Sequence, residues 1–128
     1  MDETNSFDYK YKDLTGKIIN AFYNVYNILG HGFSKEVYVN SMEIELSKNG
    51  IRNEKGALTR IYYDEVDVGS CTVDFRIEPG IILMVSGKKE IDMDDTMCLY
   101  NILKRTGFEV GLHFNFGYKA EFKRKENQ

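Results

Sequence analysis

The chain has no tryptophan, one proline, two cysteines and two histidines in 128 residues. Cys71 and Cys98 do not form a Cys-x-x-Cys pair. Two such residues exclude a disulfide scaffold and read as reduced core cysteines of a cytoplasmic protein. His31 and His113 have no neighbouring ligand spacing, which excludes a zinc site built on them. They read as a loop residue and a sheet-surface residue. No apolar run approaches the roughly 18 residues of a membrane span. The acidic, polar start does not resemble a secretory leader, so no membrane partner is expected. A net charge of −3 supplies no global basic field for nucleic acid or acidic lipid. Gly30-His31-Gly32 does not continue into the Gly-Lys-Ser/Thr of a phosphate loop. Asp92, Asp94 and Asp95 lack the spacing of an EF-hand and read as helix-capping residues.

What remains is an ordinary globular composition, 42% hydrophobic and 29% charged. The length fits a single domain over 1–128, with 1–11 and 125–128 flexible. The organising stretch is Thr72 to Lys89. Pro79-Gly80 makes a tight turn between two strands. Ile81 to Val85 is a continuous apolar run, as in a strand covered on both faces. Before it, Leu14, Ile18, Ala21, Phe22, Val25 and Leu29 recur at helical spacing, with Asp13 or Thr15 as cap. Gly30 and Gly32 break that helix. Ser34 caps a second one over 35–49, with Val37, Tyr38, Ser41, Met42 and Ile44 inward. Strands follow at 57–63, 66–68, 71–77 and 81–86, with a turn at Asp64-Glu65. Asp94 or Asp95 caps a third helix ending near Arg105, with Met97, Leu99, Tyr100, Ile102 and Leu103 as its apolar positions. Strands at 110–116 and 120–123 close the chain, and 123–128 is a solvated tail. The strand–helix–strand order implies a parallel pair. The expected fold is α/β, a mixed sheet flanked by helices and preceded by a helical hairpin.

Several short pieces in fixed order carry a resemblance. They are Leu14-Thr15, Leu29-Gly30-His31-Gly32-Phe33, Tyr38 with Asn40, Tyr63, Gly69 and Val73-Asp74-Phe75. Leu99 with Asn101, Leu103-Lys104 and Thr106-Gly107 come next. The most telling are Val110-Gly111-Leu112, Asn115-Phe116-Gly117 and Phe122-Lys123-Arg124. Over about residues 13–124 the chain resembles the GxxExxY proteins of the PD-(D/E)XK nuclease-like superfamily. The resemblance implies a restriction-endonuclease-like core and a site made of a helix glutamate, an aspartate, Glu-x-Lys on the next strand and a helix glutamine. In such sites carboxylates hold a divalent metal that activates water, and the lysine offsets transition-state charge.

Carried over position by position, only the aspartate survives, as Asp74. Lys35 stands at the helix glutamate, Met84 at the strand glutamate, Ser86 at the lysine and Cys98 at the glutamine. A two-residue shift restores a lysine, Lys88, but no acid. The expectation is a catalytically inactive nuclease-fold protein, a binding or structural subunit with no cofactor. Its cleft is filled by packing residues, including a buried Cys98. Its partner is a protein or a second copy. One alternative is a residual nuclease using Asp74, a relocated acid and Lys88, with Mg²⁺ or Mn²⁺ at Asp74. Another is a non-catalytic nucleic-acid-binding module. Lys35, Lys88 and Lys89 would be its contacts, although a solvated charge run is the simpler account of them. Nine tyrosines and eight phenylalanines fit a core and a protein interface better than base stacking.

Overall fold

The computed structural model describes residues 10–127. Its elements in order are α1 (Lys12–Leu29), α2 (Lys35–Lys48), β1 (Glu54–Tyr63), β2 (Val66–Ile77), β3 (Ile81–Ser86), α3 (Met93–Lys104), β4 (Val110–Phe116) and β5 (Ala120–Glu126). The strands form one sheet in the order β1-β2-β3-β4-β5. Only β3 and β4 run parallel, and α3 is the crossover between them. The expected mixed sheet with a leading helical hairpin is the observed one.

The apolar run in β3 is explained by its two covered faces. Ile81, Leu83 and Val85 join the core under α1 and α2. Ile82 joins a second core under α3, and Met84 packs against it. The hairpin is pinned to the sheet by two tyrosines. Tyr38 is fully buried, stacks on Phe116 at 4.1 Å and donates its hydroxyl to Gly30 O at 2.6 Å. Tyr26 Oη lies 2.8 Å from Gly117 O. Gly117 has no substitute, because a Cβ there would sit 2.5 Å from Lys89 O and 2.8 Å from Lys88 O.

Several sequence readings need correction. α1 starts behind Tyr11, a left-handed residue with no side-chain cap bond, rather than at an Asp13 or Thr15 cap. Thr15 is buried inside the helix and donates to Tyr11 O at 2.9 Å. In α2 the buried set is Tyr38, Met42 and Leu46, at spacing four, whereas Val37 and Ile44 are exposed. One residue of offset turns a side chain by about 100°. Segments 66–68 and 71–77 are one strand, since Gly69 and a register shift at Ile61/Tyr62 keep the ladder going. The cap of α3 is Asp92, whose Oδ1 accepts the Asp94 N–H at 2.8 Å. Met97 is exposed.

The chain ends also differ from the reading. Lys10 Nζ is 2.9 Å from Glu109 Oε2, and the Tyr11 hydroxyl bonds the same carboxylate. Lys125 and Glu126 belong to β5, and Asn127 donates its backbone N–H to Glu109 O at 2.9 Å. The rest of the expected flexible ends, 1–9 and 128, lies outside the described residues. Among the described residues no helix is long and apolar enough to cross a membrane.

Candidate functional site

The site begins where the sheet forks. β2 pairs with β3 only through Phe75↔Leu83, Arg76↔Ile82 and Ile77↔Ile81. Beyond Phe75 the long β1–β2 hairpin leaves β3. The next β3 donor, the Val85 N–H, is taken by the side chain of Asp74, whose Oδ2 accepts it at 2.7 Å. The carboxylate thus stands in for a missing ladder carbonyl. Its other oxygen, Oδ1, lies 3.0 Å from Lys35 Nζ, on the first residue of α2.

Below the fork is a cleft of about 390 Å³ lined by Lys35, Asp74, Met84, Ser86, Lys88 and Asp95, among others. The fold therefore gathers Lys35, Asp74, Met84, Ser86 and Lys88 in one place. Met84 fills part of it, but the cleft stays open rather than closing over. Cys98 is not there. It is exposed and lines a separate groove with Cys71 and Met97. The expected pair of buried cysteines is corrected: Cys71 is half-buried, and both belong to that groove. Burial, and then Cys98 nearby, push the Cys71 thiol pKa up, away from a reactive thiolate. Lys89 is exposed outside the cleft, and its carbonyl accepts the Tyr118 N–H at 3.0 Å.

The basic candidates in the cleft are each paired with a carboxylate. Lys88 Nζ lies 2.8 Å from both Asp92 Oδ2 and Asp95 Oδ2. The hydrogen bonds that Lys88 donates to Asp92, then to Asp95, raise the lysine pKa, and the first of them holds the Asp92 carboxyl below its ordinary range. With Lys35 on Asp74, the expected Lys35–Lys88–Lys89 patch offers no pair of free ammonium groups in the cleft.

Behind Lys88 lies a buried polar chain that sequence reading missed. His113 is fully buried, not on the sheet surface, as are Asn115 and Thr96. The parallel register sets Met84 opposite His113 and Ser86 opposite Asn115. Ser86 donates its one proton to Asn115 Oδ1 at 2.7 Å. His113 Nε2, 2.8 Å from Ser86 Oγ, must then be the donor in that contact. Its Nδ1 accepts from Thr96 Oγ1 at 2.8 Å. This hydrogen-bond count assigns a neutral ring protonated on Nε2. Burial, the main cause, lowers its pKa and keeps it neutral. A general base must offer the serine a lone pair, whereas this imidazole offers a proton, so Ser86–His113 is no nucleophile–base pair. Asn115 also accepts the Lys88 N–H at 3.0 Å and donates to Lys88 O at 2.9 Å. The chain steers the strand exit that carries Lys88. His31 is likewise structural, its Nδ1 lying 2.7 Å from Phe116 O.

A sheet with a central parallel pair, an acid at the fork of two strands and a helix end beside it is the arrangement of a nuclease-like α/β domain. The profile of the PD-(D/E)XK nuclease superfamily matches residues 12–125, and the chain belongs to that superfamily. Neither the curated proteins nor the solved structures gave a match to this chain.

Members of such a family are expected to hold a divalent cation, which prefers several hard oxygen ligands. The donors here do not fit. Both Asp74 oxygens are engaged, one by a backbone N–H and one by an ammonium. The strand position below offers the thioether of Met84. Among the described residues no group of three or more His, Cys, Asp or Glu side chains is placed to hold a metal. Asp95, the acid that sequence reading missed, lines the same cleft but holds Lys88. Its signal was its place in the first turn of α3, where it reads as a helix-dipole residue.

Proposed function

We propose that this chain is a degenerate, non-catalytic nuclease-fold protein of the GxxExxY type that acts in the cytoplasm as a binding or structural subunit. One observation carries the reading: Asp74, the single acid retained from the expected site, is spent on Val85 N–H and on Lys35. An ammonium at the position of a helix glutamate supplies internally the positive charge that a metal would bring. Met84 and Ser86 extend the substitution into the strand, where Met84 adds to the core under α3 and Ser86 to the buried polar chain. The two unpaired cysteines support a reducing compartment.

A second reading has an observation of its own. Asp74, Asp95 and Lys88 line one cleft, so Asp95 is the relocated acid that a residual Mg²⁺- or Mn²⁺-dependent nuclease would need. Calorimetric titration with Mn²⁺ separates the two. The non-catalytic reading expects no saturable binding up to millimolar cation, in the natural chain or in Lys35→Ala. Saturable binding lost in both Asp74→Asn and Asp95→Asn would overturn the non-catalytic reading and supply the metal site that the residual nuclease needs.

A further inference from the structure

Away from the cleft, β1 is an open edge of the sheet. It is 10 residues long. Among the described residues, no backbone hydrogen bond outside its ladder with β2 reaches it. Alternate N–H and C=O groups of such a strand point outward, unpaired. Natural edges are usually short or blunted by charge and proline. This one carries Lys55, Arg60 and a register shift at Ile61/Tyr62, but it is long and still displays Leu58 and Tyr62, 54% and 48% exposed.

A groove of about 380 Å³ runs beside the edge, between β1 and the loop after α3. Leu58, Arg60, Tyr62, Arg76, Arg105 and Phe108 are among its lining residues, and no carboxylate lines it. The Arg76 guanidinium lies 5.9 Å from the centre of the Phe108 ring and is paired with Glu54. Arg60 is 3.3 Å from Asp67. Both pairs are solvent-accessible, and such pairs exchange partners at little cost. Arg105 is exposed and has no ionic partner among the described residues.

We propose that the β1 edge docks an extended acidic segment of a partner protein, which adds as a further strand and places carboxylates on Arg60, Arg76 and Arg105. The proposal rests on the binding-subunit reading and names the chemistry of its partner. Strand addition uses main-chain bonds for affinity and alternate side chains for selection. An open strand edge matches both the donors and the acceptors of a peptide, whereas a phosphodiester chain can use its N–H groups only. A second copy packed here by two-fold symmetry would bring its own arginines against these, like on like.

The test is fluorescence anisotropy with the full chain and labelled alternating Glu-Val octapeptides. Comparison probes are the same peptide N-methylated at alternate residues, a Lys-Val peptide and an oligothymidylate. The acidic peptide should bind saturably. Its affinity should fall roughly tenfold or more in the double variant Arg60→Glu, Arg105→Glu. N-methylation on the pairing side should remove binding, the Lys-Val peptide should bind the double variant, and the variant's circular dichroism should match that of the natural chain. No binding of the acidic peptide, or equal binding of its methylated form, overturns the proposal. Arginine-dependent binding of the oligothymidylate alone reassigns the groove to nucleic acid and overturns it too. So does concentration-dependent dimerisation that the double variant loses. Metal-dependent cleavage by the same preparation, with peptide binding intact, would sink the non-catalytic reading and leave the groove standing.

Discussion

Lys35 Nζ and Asp74 Oδ1 are 3.0 Å apart across the fork of β2 and β3, and the other oxygen of Asp74 closes the fork by holding Val85 N–H at 2.7 Å. The two contacts have different weights. Lys35 is more than half exposed, while Asp74 keeps only 16% of its side-chain surface. Lys35→Ala should therefore cost under about 1 kcal/mol in urea unfolding. Asp74→Ala leaves a buried N–H without its acceptor and should cost about 1–3 kcal/mol. Asp74→Asn keeps an acceptor oxygen and should fall between them. Equal costs for all three would remove the structural role assigned to the carboxylate.

His113 sets a pH dependence. Its folded pKa lies below the ordinary value of 6.5 because burial penalises the cation. Between the lowered value and 6.5 the unfolded chain binds more protons than the folded one, so stability rises with pH. The contribution is complete above about 6.5 and is lost as pH falls below it, by at most about 1.4 kcal/mol per pH unit. Tm recorded between pH 7 and pH 5 should fall, and more steeply in the natural chain than in His113→Gln. Parallel curves would place the titration elsewhere.

Thr59 is 5% exposed, and its Oγ1 has no hydrogen-bond partner. A buried hydroxyl left unpaired is a cost that an isosteric apolar residue removes. Thr59→Val should raise stability by up to about 1 kcal/mol, read from the urea midpoint. A loss would mean that the hydroxyl finds a partner in solution.

Asp64 and Glu65 join β1 to β2 with φ of 54° and 65°. A two-residue turn with both φ values positive suits Asp-Gly, and a left-handed glutamate costs about 1 kcal/mol. Glu65→Gly should stabilise the hairpin by several tenths of a kcal/mol, since glycine's greater unfolded entropy offsets part of the gain. Hydrogen exchange across β1 and β2 would show it as slower opening.

The sheet was legible because its signals are local. The β3 run, the Pro79-Gly80 turn and the strand–helix–strand order each lie within a few neighbouring residues. The inner face of α2 was not, because apolar residues stand on both sides of that helix and packing against Phe116 selects Tyr38 over Val37. His113 was misplaced for a similar reason. Nothing beside it in the chain predicts Ser86 and Thr96 as partners, and only the parallel register of β3 and β4 brings them together. In the cleft, the resemblance picked out Asp74, Met84 and Ser86 by position. It could not show that Lys35 reaches Asp74, that Asp95 shares the cleft, or that Cys98 turns to another groove.

The most direct test of the non-catalytic reading is cleavage of mixed single- and double-stranded DNA and RNA with Mg²⁺ or Mn²⁺, run beside Asp74→Asn. A non-catalytic chain gives no cleavage above background, and the same background in the variant. Metal-dependent cleavage that Asp74→Asn abolishes would contradict that reading and make Asp95 the first candidate for the missing acid.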